Sequence, residues 1–174
     1  MRFIRDIHAE KQGSGKPTIS FEFFPFKTTE GEATFFGKTL PVLMTAKPDY
    51  ASVTYGAGGS TREKTLEIVE RIQNDFGLTT MAHLTCIKQT QAEIGGILDE
   101  AARRGIQNIL ALRGDPPPGE EWAQTEGGFE FASELIEFLR ERGGFGIGAA
   151  GFPEGHIDCA EGFEIDWQHL VGKI

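Results

Sequence analysis

The sequence predicts an α/β fold built on a parallel sheet, and two observations support that prediction. Short, β-prone apolar runs alternate with longer stretches in which apolar residues recur at helical spacing. The alternation repeats as five strand-then-helix units, and strands joined through helices run parallel with right-handed crossovers. The composition agrees, since 174 residues with 39% hydrophobic and 25% charged side chains suit one globular domain.

The first unit begins with a strand over Ser20–Phe24. Pro25 closes this strand because a proline lacks the N–H group that a central strand needs. Residues Glu30–Met44 then predict a helix, which Pro41 is expected to bend or break. The apolar face of this helix consists of Phe36, Leu40 and Leu43.

The second unit begins with a strand over Tyr50–Thr54, followed by a glycine-rich turn at Gly56–Gly59. Ser60 or Thr61 is the expected N-cap of the next helix, with Glu63 or Lys64 in its first turn. Gly77 ends that helix. Its apolar stripe consists of Leu66, Val69, Ile72 and Phe76.

Three further units follow, and a long polar loop over Arg113–Gly128 lies between the fourth strand and its helix. The predicted strands are Thr79–Thr85, Ile106–Leu112 and Phe145–Ala150. The helix over Gln91–Arg104 has an inward face of Ile94, Ile97, Leu98 and Ala101 and stops at Gly105. The next helix is marked by Phe131, Leu135, Phe138 and Leu139, and the last one begins at Asp166 and continues to Ile174.

Two architectures fit this order of elements: an open doubly wound sheet, or part of an eight-stranded barrel. Gly56–Gly59 is not a dinucleotide-binding fingerprint, because it lacks the G-x-G-x-x-G spacing and follows the second strand. Polar residues gather instead at the carboxyl ends of the five predicted strands, as in a barrel whose active site is built from several strand ends. They are Glu22, Thr54, His83, Asp115 and His156.

Composition also excludes several classes of function. The formal net charge is −9 and no basic patch is visible, so a nucleic-acid partner is not expected. Cys86 and Cys159 lie far apart, without the paired spacing of a zinc site or redox pair, which predicts reduced thiols in a cytoplasmic protein. The N-terminus has no apolar signal core and no stretch reaches membrane-spanning length.

Glu22 is the most informative single residue, because aromatic residues flank it in the first strand. Burial among these rings would raise the pKa of Glu22 toward the range in which a carboxylic acid donates a proton at neutral pH. The alternative is a glutamate on an edge strand that points to water.

Five runs stand out in order along the chain: Phe21–Pro25, Ser52–Gly56, His83–Cys86, Ala111–Asp115 and Ala150–His156. Their order and intervals resemble those of the flavin-dependent methylenetetrahydrofolate reductases. The resemblance extends from about Ile19 to Lys173. It implies that residues 1–174 form a partial TIM-barrel catalytic domain, an (β/α)8 barrel that binds FAD at the carboxyl ends of its strands.

The implied reaction is the reduction of 5,10-methylenetetrahydrofolate to 5-methyltetrahydrofolate by NADH or NADPH, which supplies methyl groups for methionine. The family's general acid falls on Glu22, which would protonate the ring nitrogen that leaves when the methylene bridge opens. Asp115 matches an aspartate beside the flavin, placed to stabilise the cationic iminium form of the folate and to tune the flavin. The implied partner is a small-molecule folate, and a homo-oligomer is compatible with the resemblance.

The resemblance also implies a set of FAD-contacting residues. Phe152 stands where the family usually has tyrosine, and Gly172 stands where many relatives have a basic residue, which leaves Lys173 for the phosphate. Ile157–Cys159 replaces the Pro-Glu-Ala that commonly follows the histidine. The implied contacts are Thr54, Tyr55, His83, Arg113, Gly114, Asp115, Phe131, Ala132, Phe152, His156, Asp166 and Lys173.

Length leaves alternatives open. An eight-unit barrel needs about 250 residues, so the chain represents about five units, as a fragment or as a natural truncation, and the strand that supplies a folate-contacting glutamine is absent. Unpaired edges of the first and fifth strands are expected to favour association and to weaken activity. One alternative function is a non-catalytic fragment that binds FAD or a partner. Another is a pterin-dependent transferase or an aldolase-like lyase, for which Lys88 is the nearest Schiff-base candidate.

Overall fold

A five-stranded parallel sheet forms the centre of the protein, with the strands in the order β1-β2-β3-β4-β5. The computed structural model describes residues 1–56, 62–116, 119–120, 123–157 and 159–173, and for Arg62 the backbone alone. A sequential strand order is that of a barrel, because a doubly wound sheet reverses its order part of the way along. The strands are β1 Ser20–Phe23, β2 Tyr50–Val53, β3 Thr79–Thr85, β4 Asn108–Leu112 and β5 Gly146–Ala149.

Helical segments lie between the strands and at both ends of the described chain. The predicted helix over Glu30–Met44 is a run of three segments, the middle one a π-helix over Phe35–Thr39. Within it the Leu40 N–H group bonds to the Phe35 carbonyl five residues back, immediately before Pro41. The α-helices are α1 Ile4–Ser14, α2 Thr29–Thr34, α3 Leu40–Met44, α4 Arg62–Phe76, α5 Gln91–Arg103, α6 Ala132–Arg142 and α7 Phe163–Lys173.

The hydrophobic core lies between one face of the sheet and helices α3 to α6. Alternate strand residues, among them Val53, Leu84 and Ile109, point into it because successive side chains of a strand face opposite ways. The inward stripe predicted for α5 is confirmed, and a capping box formed by Thr90 and Glu93 begins that helix. The other face of the sheet carries polar residues, among them Glu22, Ser52 and His83. One face of the sheet therefore packs the core, and the other presents polar groups.

The sequence analysis missed helix α1, which lies against the amino ends of the strands. Asn108 joins the two: its Nδ2 donates to the carbonyls of Arg2 and Thr80 at 3.0 and 3.2 Å, and its Oδ1 accepts from the Ile4 N–H at 3.0 Å. A cavity of about 330 Å³ lies beside α1, lined by residues that include His8, Tyr50 and Met81. None of the residues predicted for the functional site lines this cavity.

Other boundaries differ by a few residues. Helix α7 begins at Phe163, three residues before the expected Asp166, and β4 begins at Asn108. Phe131, one of the four residues that marked the predicted helix, lies just before α6 and is exposed. The predicted N-cap at Ser60 or Thr61 lies outside the described residues. Within the described ranges, no helix is both long and apolar enough to cross a membrane.

Candidate active site

The carboxyl ends of parallel strands meet at one edge of a sheet, and the structure places the polar residues singled out from the sequence along that edge. Glu22 and His83 lie within β1 and β3. Thr54 directly follows β2, Asp115 follows β4 after Arg113 and Gly114, and His156 follows β5 by a short loop. This edge is therefore the candidate active site.

A cluster of three side chains forms on the polar face of the sheet. The strand register pairs Glu22 with Ser52, and Ser52 Oγ donates a hydrogen bond to Glu22 Oε2 at 3.2 Å. His83 lies on the next strand, and its Nε2 is 3.4 Å from the same carboxylate oxygen. One oxygen of Glu22 is thus approached by a hydroxyl and an imidazole.

The aromatic enclosure expected for Glu22 is wrong. Strand alternation turns Phe21 and Phe23 to the opposite face, where their rings stack at 6.3 Å and Phe23 packs against the core. The Glu22 side chain is 52% exposed on the polar face. The neighbours that influence this carboxylate are therefore Ser52 and His83, which lie across the strands, and not its neighbours in sequence.

His83 is buried, with 8% of its surface exposed. Among the described residues its Nε2 has no aligned hydrogen-bond partner, although Glu22 lies close by. Burial lowers the pKa of His83, and the nearby negative charge of Glu22 opposes this shift more weakly. The imidazole is consequently neutral at pH 7.

The turn after β4 rests on the end of β3. Gly114 has a φ of +85°, and a Cβ at this position would lie 2.7 Å from Ile87 Cγ2 and 2.8 Å from Thr85 Cβ. Glycine is required here for both reasons. The Arg113 carbonyl accepts the Ile87 N–H at 3.0 Å, which fixes the turn and presents the exposed Asp115 carboxylate beside it.

Thr85 lies beneath this turn with only 6% of its surface exposed. Within the described part of the chain its Oγ1 has no hydrogen-bond partner. A buried hydroxyl without a partner costs about 1–3 kcal/mol. Thr85 Oγ1 and His83 Nε2 are thus two buried polar atoms on the polar face of β3 that can each bond to a ligand.

Cys86 lies next to this turn but has no reactive character. Burial raises the pKa of its thiol to about 11. Its Sγ donates to the Arg113 carbonyl at 3.5 Å. The thiol therefore supports the position of the turn.

A second cluster joins the loop after β5 to α7. The rings of Phe152 and His156 meet edge to face with centroids 4.6 Å apart. The His156 backbone N–H donates to Asp166 Oδ2 at 3.0 Å, which ties the loop to the first turn of the helix. Lys173 lies at the other end of α7 and is half-buried.

The remaining predicted contacts are more dispersed. The Thr54 N–H donates to the Phe23 carbonyl at 2.9 Å, and Tyr55 packs against the core. Phe131 is exposed beside Ala132, the first residue of α6. Lys88 forms an exposed ion pair with Glu120, so it is not the desolvated amine that a Schiff-base mechanism needs.

Sequence reasoning missed Ser52 and Thr85 as residues of the site. Both follow from strand alternation: Ser52 lies two residues before Thr54, and Thr85 two residues after His83. Residues at this spacing share a face of the sheet. The signal was therefore present in the two strands, and both hydroxyls also lie in runs that resemble the family, Ser52–Gly56 and His83–Cys86.

The sheet and its polar edge define an enzyme-like α/β-barrel fold of which this chain forms five strands. The chain belongs to the methylenetetrahydrofolate reductase family, whose model matches residues 6–174. This agrees with the resemblance seen in the sequence motifs.

Curated relatives from plants, fungi and bacteria share this similarity. Methylenetetrahydrofolate reductase (NADH) 1 of Zea mays is 44% identical over 165 residues, which cover 93% of this chain and 28% of the relative. Methylenetetrahydrofolate reductase 2 of Saccharomyces cerevisiae is 37% identical over 179 residues, covering all of this chain and 30% of the relative. The 5,10-methylenetetrahydrofolate reductase of Escherichia coli is 38% identical over 160 residues, which cover 92% of this chain and 52% of the relative. The chain thus spans between about a quarter and a half of these relatives.

Proposed function

We propose that residues 1–174 are the first five βα units of a catalytic domain that reduces 5,10-methylenetetrahydrofolate to 5-methyltetrahydrofolate with FAD and NADH or NADPH. The observation that carries this proposal is the convergence of Ser52 Oγ and His83 Nε2 on one oxygen of Glu22. The names of the maize and Arabidopsis relatives specify NADH, so NADH is the reductant to test first.

The residues present fit FAD in the chemistry of their polar atoms. Thr85 Oγ1 and His83 Nε2 are buried and have no aligned partner among the described residues, so each can bond to a heteroatom of the flavin ring. The Gly114 turn packs against Thr85 and Ile87 and so holds the backbone of Arg113 and Asp115 next to these atoms. Thr54, Tyr55, Arg113 and Asp115 would line the ring side of the site, with Phe131 and Ala132 at its border.

The second cluster suits the other end of the cofactor. The carboxylate of Asp166 has one oxygen bonded to the His156 N–H, which leaves the other for a ribose hydroxyl. Phe152 and His156 offer a ring edge and a ring face to the adenine portion. Lys173 would supply positive charge to a phosphate, and Gly172 beside it adds none.

FAD would supply hydride relay between the nicotinamide and the folate. The protein itself would contribute proton transfer, with Glu22 as the donor to the folate ring nitrogen. Burial lowers the pKa of His83, so its neutral imidazole places no positive charge beside Glu22 Oε2, which lies 3.4 Å from Nε2. The Ser52 hydroxyl keeps one carboxylate oxygen in place and leaves the other to carry the proton.

Asp115 is proposed to stabilise the cation that forms when the methylene bridge opens. Its carboxylate follows the rigid Arg113–Gly114 turn and remains exposed to the cleft. A fixed carboxylate that is already in place when positive charge develops lowers the barrier without reorganisation. Glu22 and Asp115 thus have separate roles, one as acid and the other as electrostatic stabiliser.

The proposal is tested by titrating the 174-residue chain with FAD and following flavin fluorescence, and then by measuring NADH oxidation that depends on methylenetetrahydrofolate. We expect FAD to bind with one equivalent per chain. Failure to bind FAD would contradict the cofactor assignment. FAD-loaded protein that oxidises NADH but leaves the folate unchanged would favour the alternative of a fragment that binds flavin without catalysing folate reduction.

A further inference from the structure

Three side chains with different ligand atoms lie together at the start of α7. The Sγ of Cys159, a carboxylate oxygen of Asp166 and a ring nitrogen of His169 are all within 4.8 Å of one another. Asp166 and His169 are three residues apart on the helix and therefore share a face. Cys159 belongs to the Ile157–Cys159 segment that departs from the pattern common in the family.

The loop that carries Cys159 is built onto α7. The Cys159 N–H donates to the His156 carbonyl at 3.0 Å, and the Gly162 N–H donates to the Cys159 carbonyl at 3.1 Å. The Asp166 N–H then donates to the Gly162 carbonyl at 3.2 Å, which continues these turns into the helix. The position of the thiol over the helix is thus set by backbone hydrogen bonds.

A second set of contacts fixes the same loop from its other end. Trp167 Nε1 donates to the Pro153 carbonyl at 3.2 Å. Gly155 lies against the helix so closely that a Cβ there would be 2.6 Å from Phe163 Cβ. The Asp166 carboxylate is itself oriented by the His156 N–H at 3.0 Å. Such outer contacts hold metal ligands in place in known sites.

We infer that Cys159, Asp166 and His169 form a site for a thiophilic divalent cation, of which Zn²⁺ is the best match, with water as the fourth ligand. Thiolate, imidazole and carboxylate are the three protein ligands of zinc, and three of them with an open fourth position make a tetrahedral site. Ligand atoms on a tetrahedral zinc lie about 3.5 Å apart. The three ligand atoms already lie within 4.8 Å of one another, and the thiol is half-buried while the His169 side chain is exposed.

This inference goes beyond the proposed reduction and does not depend on it. Asp166 is also proposed to contact FAD, so the test uses flavin-free chain and the metal alone. The spacing of the two cysteines gave no indication of this site, because Cys86 is buried elsewhere and the other ligands are not cysteines.

The test is titration of the reduced 174-residue chain with Zn²⁺ by calorimetry and with Co²⁺ by absorbance. We expect one equivalent of metal to bind, with a sulfur-to-cobalt charge-transfer band and the visible bands of tetrahedral cobalt. Cys159→Ser and His169→Asn should each weaken Zn²⁺ binding by at least about tenfold, since even outer contacts of metal ligands are worth that much. Cys159→Ser should also remove the charge-transfer band.

His8→Asn is the matched control, because His8 is also an exposed histidine on a helix. Its ring nitrogen Nδ1 lies 3.3 Å from Thr18 Oγ1. It should leave Zn²⁺ affinity unchanged. Equal weakening by His8→Asn and His169→Asn would show scattered surface binding and overturn the site. A cobalt complex without the sulfur band, or unchanged affinity in Cys159→Ser with an unchanged circular-dichroism spectrum, would also overturn it. If Cys159→Ser is poorly folded, Cys159→Ala is used in the same assays.

Discussion

His83 Nε2 lies 3.4 Å from Glu22 Oε2, across a strand that separates their own two strands in the sheet. Ser52, on that intervening strand, donates to the same oxygen. A buried neutral base and a half-exposed acid therefore share one contact point, at the edge of the sheet where the carboxyl ends of the strands meet. The four predictions that follow concern this point and the turn beside it.

Glu22→Gln should abolish folate reduction in a complete, FAD-loaded barrel and leave hydride transfer from NADH to flavin largely intact. Only the folate half-reaction needs a proton donor, and the amide replaces the acid at nearly constant volume. Stopped-flow absorbance at the flavin band measures each half-reaction separately. Glu137→Gln, an exposed change on α6, is the control and should affect neither. Equal loss in both half-reactions would make Glu22 a structural residue.

Asp115→Asn should slow folate reduction by roughly one to three orders of magnitude, the scale of losing one electrostatic stabiliser. FAD should remain bound, because its proposed contacts with Arg113, Gly114 and the residues of β3 are unchanged. Rapid-mixing kinetics and flavin quantitation of the purified protein check the two statements. Colourless protein would reassign Asp115 to cofactor retention.

The buried state of His83 predicts a pH dependence of stability. Burial holds the folded-state pKa of His83 below its unfolded value, so the unfolded chain binds the proton more readily. The contribution of His83 to the free energy of unfolding should then be constant above about pH 7, and fall as the pH drops below the unfolded pKa of about 6.5. Asp49, with a lowered pKa, loses its contribution only at more acidic pH, below about 4.

Urea unfolding between about pH 5 and pH 8 measures this effect in the window set by the unfolded histidine. His83→Gln should flatten the curve, because the amide does not titrate there. His8→Asn removes an exposed histidine and should leave the curve unchanged. A wild-type curve without a slope below pH 6.5 would contradict the burial argument.

Gly114→Ala should destabilise the protein by about 1–3 kcal/mol, because it combines a positive φ with a close approach to Thr85 and Ile87. Gly96→Ala is the matched control: Gly96 is exposed in α5 and a Cβ there meets nothing within 4 Å. The control should raise stability by about 0.5–1 kcal/mol. Denaturant midpoints decide the comparison, and a neutral Gly114→Ala would show that the turn can relax.

The parallel fold could be predicted from the sequence because its signals are local. The period of apolar residues identified β3 to the residue and four of the five buried residues of α5, all except Gly95. Helix α1 was missed, because it has a single buried residue, Ile7, and so shows little apolar periodicity. Its position depends instead on Asn108, whose Oδ1 accepts a hydrogen bond from the Ile4 N–H at the start of the helix. The two residues are 104 positions apart in the sequence.

The candidate site was predicted in part for the same reason. Motif residues such as Glu22 and His83 could be named, because they stand in runs that resemble a known family. The environment of Glu22 could not, since it depends on the register of β1 with β2. Sequence neighbours suggested aromatic burial, whereas the register places Ser52 beside the carboxylate. Contacts across strands are set by the fold as a whole and have no local signature.

The π-helical segment Phe35–Thr39 has a further consequence, for insertions and deletions. A π turn holds one residue more than the α turn it replaces, so this segment behaves as a one-residue insertion within a helix. It buries the adjacent rings of Phe35 and Phe36 together, before Pro41 resumes a normal helix. Deleting Gly37 would remove no side chain and would restore the regular α-helical hydrogen bonds. It would also rotate one half of the helix against the other by about 100°. One of the two rings would then leave the core, so an alignment gap placed here would change the packing although it removes only a glycine.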